Sequence, residues 1–194
     1  MHPYATDSTE REKIFAFLAV LTIAVLWLLD RSLGQYKWFW NPLTITGVYG
    51  LLYLLFGKII WKASFLRIIR LTKTPDLNGR WEGKIKLSSK WLGKTKDATV
   101  TIRQSWTRIA VIFETESTRA QSIIASILTN QPEGTVLSFE YLNQPKPGSK
   151  DQFNIHRGSA RLTLDGNTLD GDFYYGSGKQ QTFGSLTVSK IPGS

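Results

Sequence analysis

Residues 74–87 read T-P-D-L-N-G-R-W-E-G-K-I-K-L, and the chain changes character inside them. Pro75 and Gly79 end the helical pattern that comes before. From Gly79 onward the side chains alternate. Trp81, Gly83, Ile85 and Leu87 fall on one face, and Arg80, Glu82, Lys84 and Lys86 on the other. A period of two marks a half-buried strand. The pattern returns downstream: Ala98, Val100 and Ile102 oppose Thr99, Thr101 and Arg103, while Ala160, Leu162 and Leu164 oppose Arg161 and Thr163. Eight strands are predicted, over 79–87, 98–106, 108–118, 119–128, 135–143, 156–164, 168–175 and 180–190. Asp165-Gly166-Asn167 is a hairpin turn, and 130–134 a slightly longer one. Eight short antiparallel strands in sequence order predict an up-and-down barrel. A barrel of about eight strands is just wide enough for side chains or one small ligand.

Upstream of Thr74 the chemistry is different. Residues 14–29, IFAFLAVLTIAVLWLL, are sixteen residues without a charge, close to the roughly 17–25 that cross a bilayer. A second run, 43–60, is interrupted only by Lys58. The connection holds Trp38, Phe39 and Trp40, residues suited to a membrane–water boundary, and Pro42 suits the first turn of a helix. The first run ends W-L-L-D-R with no small-residue cleavage pattern, which disfavours a signal peptide. Neither run has a polar face, which disfavours a buried hairpin of a soluble protein. Residues 1–74 are therefore expected to form two transmembrane helices, about 14–29 and 42–61, and residues 75–194 a barrel domain.

Seven basic residues flank the runs on the outside (Arg11, Lys13, Lys58, Lys62, Arg67, Arg70, Lys73), against two between them, Arg31 and Lys37. The positive-inside rule then places both termini in the cytoplasm. Residues 62–73, KASFLRIIRLTK, continue as an amphipathic helix that lies on anionic lipid headgroups, or serve only as a basic stop to the span. Thr46, Gly50 and Gly57 form a small-residue stripe on the second helix.

Composition narrows the functions. The 194 residues carry a net charge of +9, no Cys and two His, His2 and His156. A disulfide framework, a thiolate zinc site and a Cys nucleophile are excluded. No phosphate-binding Gly loop or nucleophile elbow is present, and no acid–base pair stands out, so no enzyme, catalytic residue, metal or cofactor is expected. The mean hydropathy of −0.15 averages two unlike halves.

The strand count sorts the barrel's two ends. The long connections 88–97, 144–155 and 176–179 share one end, where a binding mouth is expected. That end is rich in cations (Lys90, Lys94, Lys96, Arg119, Lys146, Lys150, Arg157, Lys179) and has Trp91, Tyr141, Tyr174 and Tyr175 at strand ends. Cations beside flat rings suit an anionic ligand with nucleobases. Lysines in such loops also commonly serve only solubility. The candidate ligand contacts are Arg119, Arg157, Tyr141, Tyr175, Lys94 and Lys150.

Two resemblances follow from these residues. L-N-G-R-W-E-G, 77–83, resembles the Gly-x-Trp opening of lipocalin-type and avidin-type barrels, in which the Trp plugs the closed end. It implies a lipocalin-like barrel with Trp81 in a structural role. The full order, two spans and then a compact eight-stranded barrel opened by Gly79-Arg80-Trp81 and containing the stretch Gly134–Pro145, resembles the two-transmembrane β-barrel effectors of bacterial CBASS anti-phage defence, the SMODS-associating, β-strand-rich effectors. That resemblance implies a barrel that binds a cyclic oligonucleotide, such as a cyclic dinucleotide, made by a partner nucleotidyltransferase. It implies self-association on binding, disruption of the inner membrane and abortive infection, with no DNA or RNA polymer as partner. A membrane-anchored carrier or sensor of a lipid or other small ligand, and an enzyme on a small barrel, remain open alternatives at this point.

Overall fold

The computed structural model describes residues 1–33, 41–63, 66, 71–87, 95–148, 155–177 and 180–193. The chain divides into two compact units, Met1–Asp7 with Asp76–Ser194, and Ser8–Pro75.

The first unit contains the eight expected long strands: β3 (Gly79–Leu87), β4 (Thr95–Gln104), β5 (Arg108–Glu114), β6 (Thr118–Gln131), β7 (Gly134–Pro145), β8 (His156–Asp165), β9 (Thr168–Ser177) and β10 (Gln180–Lys190). Each pairs antiparallel with the next, and β10 pairs back onto β3, so the wall is a closed eight-stranded ring. Closure removes free strand edges. The inward residues pack the interior, with Trp81, Val100, Ile102, Val111, Ile127, Leu137, Leu162, Leu169 and Val188 all buried. Trp81 donates its indole N–H to the Leu77 carbonyl at 3.1 Å. The turn between β5 and β6 falls earlier than the sequence pattern placed it: Thr115 N–H reaches the Thr118 carbonyl at 3.0 Å, and the two hydroxyls meet at 2.9 Å.

One expectation about organisation changes. The first seven residues belong to the barrel unit, not to a 1–74 membrane domain. Two short strands, β1 (His2–Pro3) and β2 (Ala5–Thr6), precede the first helix. β1 pairs antiparallel with Arg108 and Ile109 of β5, and β2 pairs parallel with Ser126 and Ile127 of β6. Between them Tyr4 is buried, and its hydroxyl donates to the Trp106 carbonyl at 2.8 Å.

The second unit contains α1 (Glu10–Leu33) and α2 (Pro42–Lys58), followed by a 3-10 turn over Ile60–Lys62. α1 opens with Glu10 and Glu12 and closes with Arg31, complementing the helix dipole. Glu10 is buried. Its carboxylate accepts the Lys73 N–H at 2.5 Å, the Thr74 N–H at 3.1 Å and the Thr74 hydroxyl, so the unit's first helical residue and its last residues are tied together. Asn41 caps α2 by accepting the Leu43 N–H at 3.0 Å, with Pro42 in the first turn as the sequence implied.

Among the described residues Glu10–Ser32 is a helix long and apolar enough to cross a membrane. α2 is shorter than the predicted 42–61: its 17 residues rise about 26 Å. The helices pack through Phe15 and Tyr53, with ring centres 6.0 Å apart. Val20, Ile23 and Trp27 of α1 and Leu43, Leu51 and Leu54 of α2 are exposed. A Cβ on Gly50 would meet nothing within 4 Å, so this glycine of the Thr46–Gly50–Gly57 stripe is not packed against α1. The helix expected over 62–73 is interrupted at Ala63, whose backbone is extended. Its Phe65, Arg67, Ile68, Ile69 and Arg70, like Lys37, Trp38, Phe39 and Trp40 before α2, lie outside the described residues.

Candidate ligand-binding site

The final residues of β3, β5, β7 and β9 and the first residues of β4, β6, β8 and β10 share one end of the barrel, as the strand count predicted. A well opens there between the strand ends. Leu87 of β3, Lys96 of β4, Phe113 of β5, Tyr141 and Asn143 of β7, His156 of β8, and Phe173 and Tyr175 of β9 line it, together with Thr115, Ser117 and Thr118 of the β5–β6 turn. Its free volume is about 60 Å³, the share of about two waters.

The lining is an aromatic ladder. Phe113 and Phe173 lie 6.5 Å apart, Phe173 and Tyr175 lie 6.3 Å apart with planes 1° from parallel, and Tyr175 stacks on His156 at 4.5 Å. Phe173 and Tyr175 are alternate residues of β9, His156 stands on the neighbouring β8, and Phe113 faces them from β5, so the pleat points all four inward. Glycines make the room. A Cβ on Gly158 would come within 2.4 Å of the Tyr141 ring, and one on Gly184 within 2.6 Å of the Phe173 ring.

Two polar groups sit among the rings. Burial, and then the charge of Tyr175, push the Tyr141 phenol well above its ordinary range, so it is a proton donor at every physiological pH. Asn143 is buried. Its Nδ2 contacts His156 Nε2 at 3.2 Å, and its Oδ1 has no hydrogen-bond partner among the described residues. A buried acceptor left open costs about 1–3 kcal/mol; a donor arriving from outside the chain would relieve that cost. Stacking faces, an inward acceptor and a rim cation, Lys96, suit a flat heteroaromatic ring that carries N–H donors and a negative charge nearby. Among the described residues no group of three His, Asp or Glu is placed to hold a metal ion.

The sequence-predicted contacts divide. Tyr141 and Tyr175 are brought together in the well. Arg157 and Arg119 are not. Arg157 lies between inward His156 and Gly158, so it points outward and lines a groove on the barrel's outer face with Glu140, Tyr174, Thr182 and Phe183. Arg119 lies between buried Thr118 and Ala120, and its exposed side chain faces Glu114 at 3.8 Å. Lys146 is also engaged, donating to the Thr115 carbonyl at 2.8 Å beside Glu114. Lys94 and Lys150 lie outside the described residues, as do Lys90, Trp91 and Lys179. Trp81 is at the opposite end of β3 from the well, buried, with Lys190 Nζ 5.5 Å from the ring centre. Asn143, His156, Phe113 and Phe173 were not anticipated. Strand parity could have found two of them: Asn143 is two residues beyond Tyr141, and His156 is two before Gly158, which pairs with both Tyr141 and Tyr175.

Known proteins place this architecture. CD-NTase-associated protein 15 of Yersinia aleksiciae is 27% identical over 187 residues, covering 92% of this chain and 88% of that protein. Proteins of the same name from Staphylococcus schleiferi and Escherichia albertii are 25% and 26% identical, over 70% and 77% of this chain and 71% and 76% of theirs. A family profile described as "Cap15, cyclic dinucleotide receptor domain" matches residues 72–190, which run from just before β3 to the end of β10. With more than half of the residues matched over the whole eight-stranded ring, the chain belongs to the Cap15 cyclic dinucleotide receptor domain family.

Proposed function

We propose that this protein is a membrane-tethered effector of CBASS anti-phage defence. Its barrel takes a cyclic oligonucleotide, made by a partner nucleotidyltransferase, at the aromatic well. Binding favours association of copies, and the concentrated helices then disrupt the bacterial inner membrane. The observation that carries the reading is the well itself: the Phe113–Phe173–Tyr175–His156 ladder beside a buried Asn143 carbonyl that no described residue matches. At about 60 Å³ the well admits the edge of one base, not a whole dinucleotide. The remainder of the ligand would lie over the mouth, beside Lys96. The lipid-carrier alternative is disfavoured because the interior beneath the well is filled by the packed core.

A membrane hairpin with both termini cytoplasmic fits the same reading. Residues 2–6 and 79–190 belong to one barrel, which supports an even number of membrane crossings by the chain between them. α1 is long enough to cross once, and α2 is the available return. The Glu10 clasp on Lys73 and Thr74 brings the two ends of the insertion together, as a hairpin requires. The seven-to-two distribution of basic residues sets the cytoplasmic side.

The test is calorimetric titration of the full chain in detergent with a panel of cyclic dinucleotides, using their linear dinucleotides as controls. Saturable binding of at least one cyclic ligand, lost in Tyr175→Ala, supports the site. No binding across the panel, or binding indifferent to Tyr175→Ala, rejects it.

A further inference from the structure

The barrel wall is uneven. β9 and β10 share ten residue pairs, but β5 and β6 share three, from Ile112–Gln121 to Glu114–Arg119. Beyond these the two strands part. Their facing edges are paired with the N-terminal segment instead: His2 and Pro3 along β5, Ala5 and Thr6 along β6. Side chains fasten the segment at three points. Tyr4 is buried, with its hydroxyl on the Trp106 carbonyl. His2 Nε2 meets Ser122 Oγ at 2.8 Å, and the same oxygen accepts the Val111 N–H at 2.9 Å. The Asp7 carboxylate accepts the N–H of Thr129 at 2.7 Å and of Asn130 at 3.0 Å. Burial raises the Asp7 carboxyl, but these backbone donors, with Gln131 and Thr129 side chains, outweigh it and hold the group below its ordinary range. Three residues after Asp7, α1 begins.

A strand edge with open N–H and C=O groups is a template for another chain. Three β5–β6 pairs close the ring near the well, and the rest of this seam is filled by residues 2–7 through only two ladder pairs on each side, against ten between β9 and β10. We propose that residues 2–7 are an edge cover: while docked they keep the seam between β5 and β6 closed, and on release the bared edges, 108–111 and 122–128, pair with those of a second copy of this chain. The partner is a second copy because an edge of given length is matched by the same edge turned through a two-fold axis, and a shared membrane would hold copies side by side. The cover is placed to respond to the well. Phe113, Thr115 and Thr118 line the well, and the same hairpin carries the cover four to nine residues further along each strand. This link to the ligand rests on the function proposed above; the closed seam does not.

The chain has no cysteine, so a lock can be placed cleanly. Ala5 and Ser126 are ladder partners, and neighbouring strands lie about 4.8 Å apart, within reach of a disulfide. Full-length Ala5→Cys/Ser126→Cys, oxidised, is expected to bind a cyclic dinucleotide within twofold of wild type. Its association in detergent and its release of dye from liposomes should be at least tenfold lower, with dithiothreitol restoring both. Conversely, Tyr4→Ala/Asp7→Ala should associate without ligand at tenfold lower protein concentration than wild type. The proposal is overturned if the oxidised protein associates like the reduced one, or if Tyr4→Ala/Asp7→Ala, folded by circular dichroism, stays as monomeric as wild type. Absence of ligand binding in every variant sinks the receptor reading, and the ligand-free comparison then still decides the edge cover.

Discussion

Tyr141 and Asn143 are one strand pleat apart and make opposite demands at the scale of single residues. The Tyr141 phenol titrates above its unfolded value of 10.0. A raised folded value means the stabilising contribution is whole below pH 10.0 and is lost as pH rises beyond it. Urea unfolding between pH 8 and pH 11 should show wild-type stability falling at the alkaline end, and Tyr141→Phe should flatten that part of the fall. An identical alkaline slope in both proteins contradicts the buried phenol. Asn143 behaves otherwise, because its carbonyl oxygen is buried without a partner among the described residues. Asn143→Leu removes an unmet acceptor, so the unliganded protein should lose less than about 1 kcal/mol or gain slightly. Ligand affinity should fall about 2–12-fold, one neutral hydrogen bond of about 0.5–1.5 kcal/mol. Stability and binding that drop together would mark Asn143 as structural.

At the scale of elements, strand parity decides which side chains can meet. On β8, His156 and Gly158 face inward and Arg157 outward; on β6, Thr118 and Ala120 are buried and Arg119 is not. Both arginines were credible phosphate contacts by charge and by barrel end, but the pleat turns them away from the well. The same register makes Gly158 essential. It pairs with Tyr141 and Tyr175, and a methyl there would press on the Tyr141 ring at 2.4 Å and the Tyr174 carbonyl at 2.7 Å. Such crowding costs about 1–3 kcal/mol. Gly158→Ala should therefore lower the melting temperature and weaken ligand binding together, since the displaced ring is a wall of the well. Thermal denaturation and calorimetry of the variant check this, and an unchanged melting point would mean the strand shifts freely.

At the scale of the whole molecule, the barrel is assembled from both ends of an insertion, Met1–Asp7 before it and Asp76 onward after it. That arrangement predicts sidedness. In the cysteine-free background, Gln35→Cys, between the helices, should react with an impermeant maleimide on intact spheroplasts. Glu133→Cys, in the β6–β7 turn, and Gly193→Cys should react only after permeabilisation. Labelling of Gly193→Cys in intact spheroplasts would reverse the proposed topology and remove the proposed cytoplasmic ligand with it.

The sequence by itself determined the eight long strands, because a wall with one packed and one wet face imposes a period of two on every strand. It determined the apolar run of α1, and it sorted the barrel's ends, since an antiparallel meander alternates its connections and the long ones fall together. It also singled out Tyr141 and Tyr175. Only the tertiary structure decided the rest. Asn143 became part of a site when β7 and β8 set it beside His156, 13 residues away. Residues 2–7 carry no period of their own, for a segment with two residues in each strand cannot show one. Their place in the wall is set by partners more than 100 residues distant, and such pairings leave no local trace in the chain.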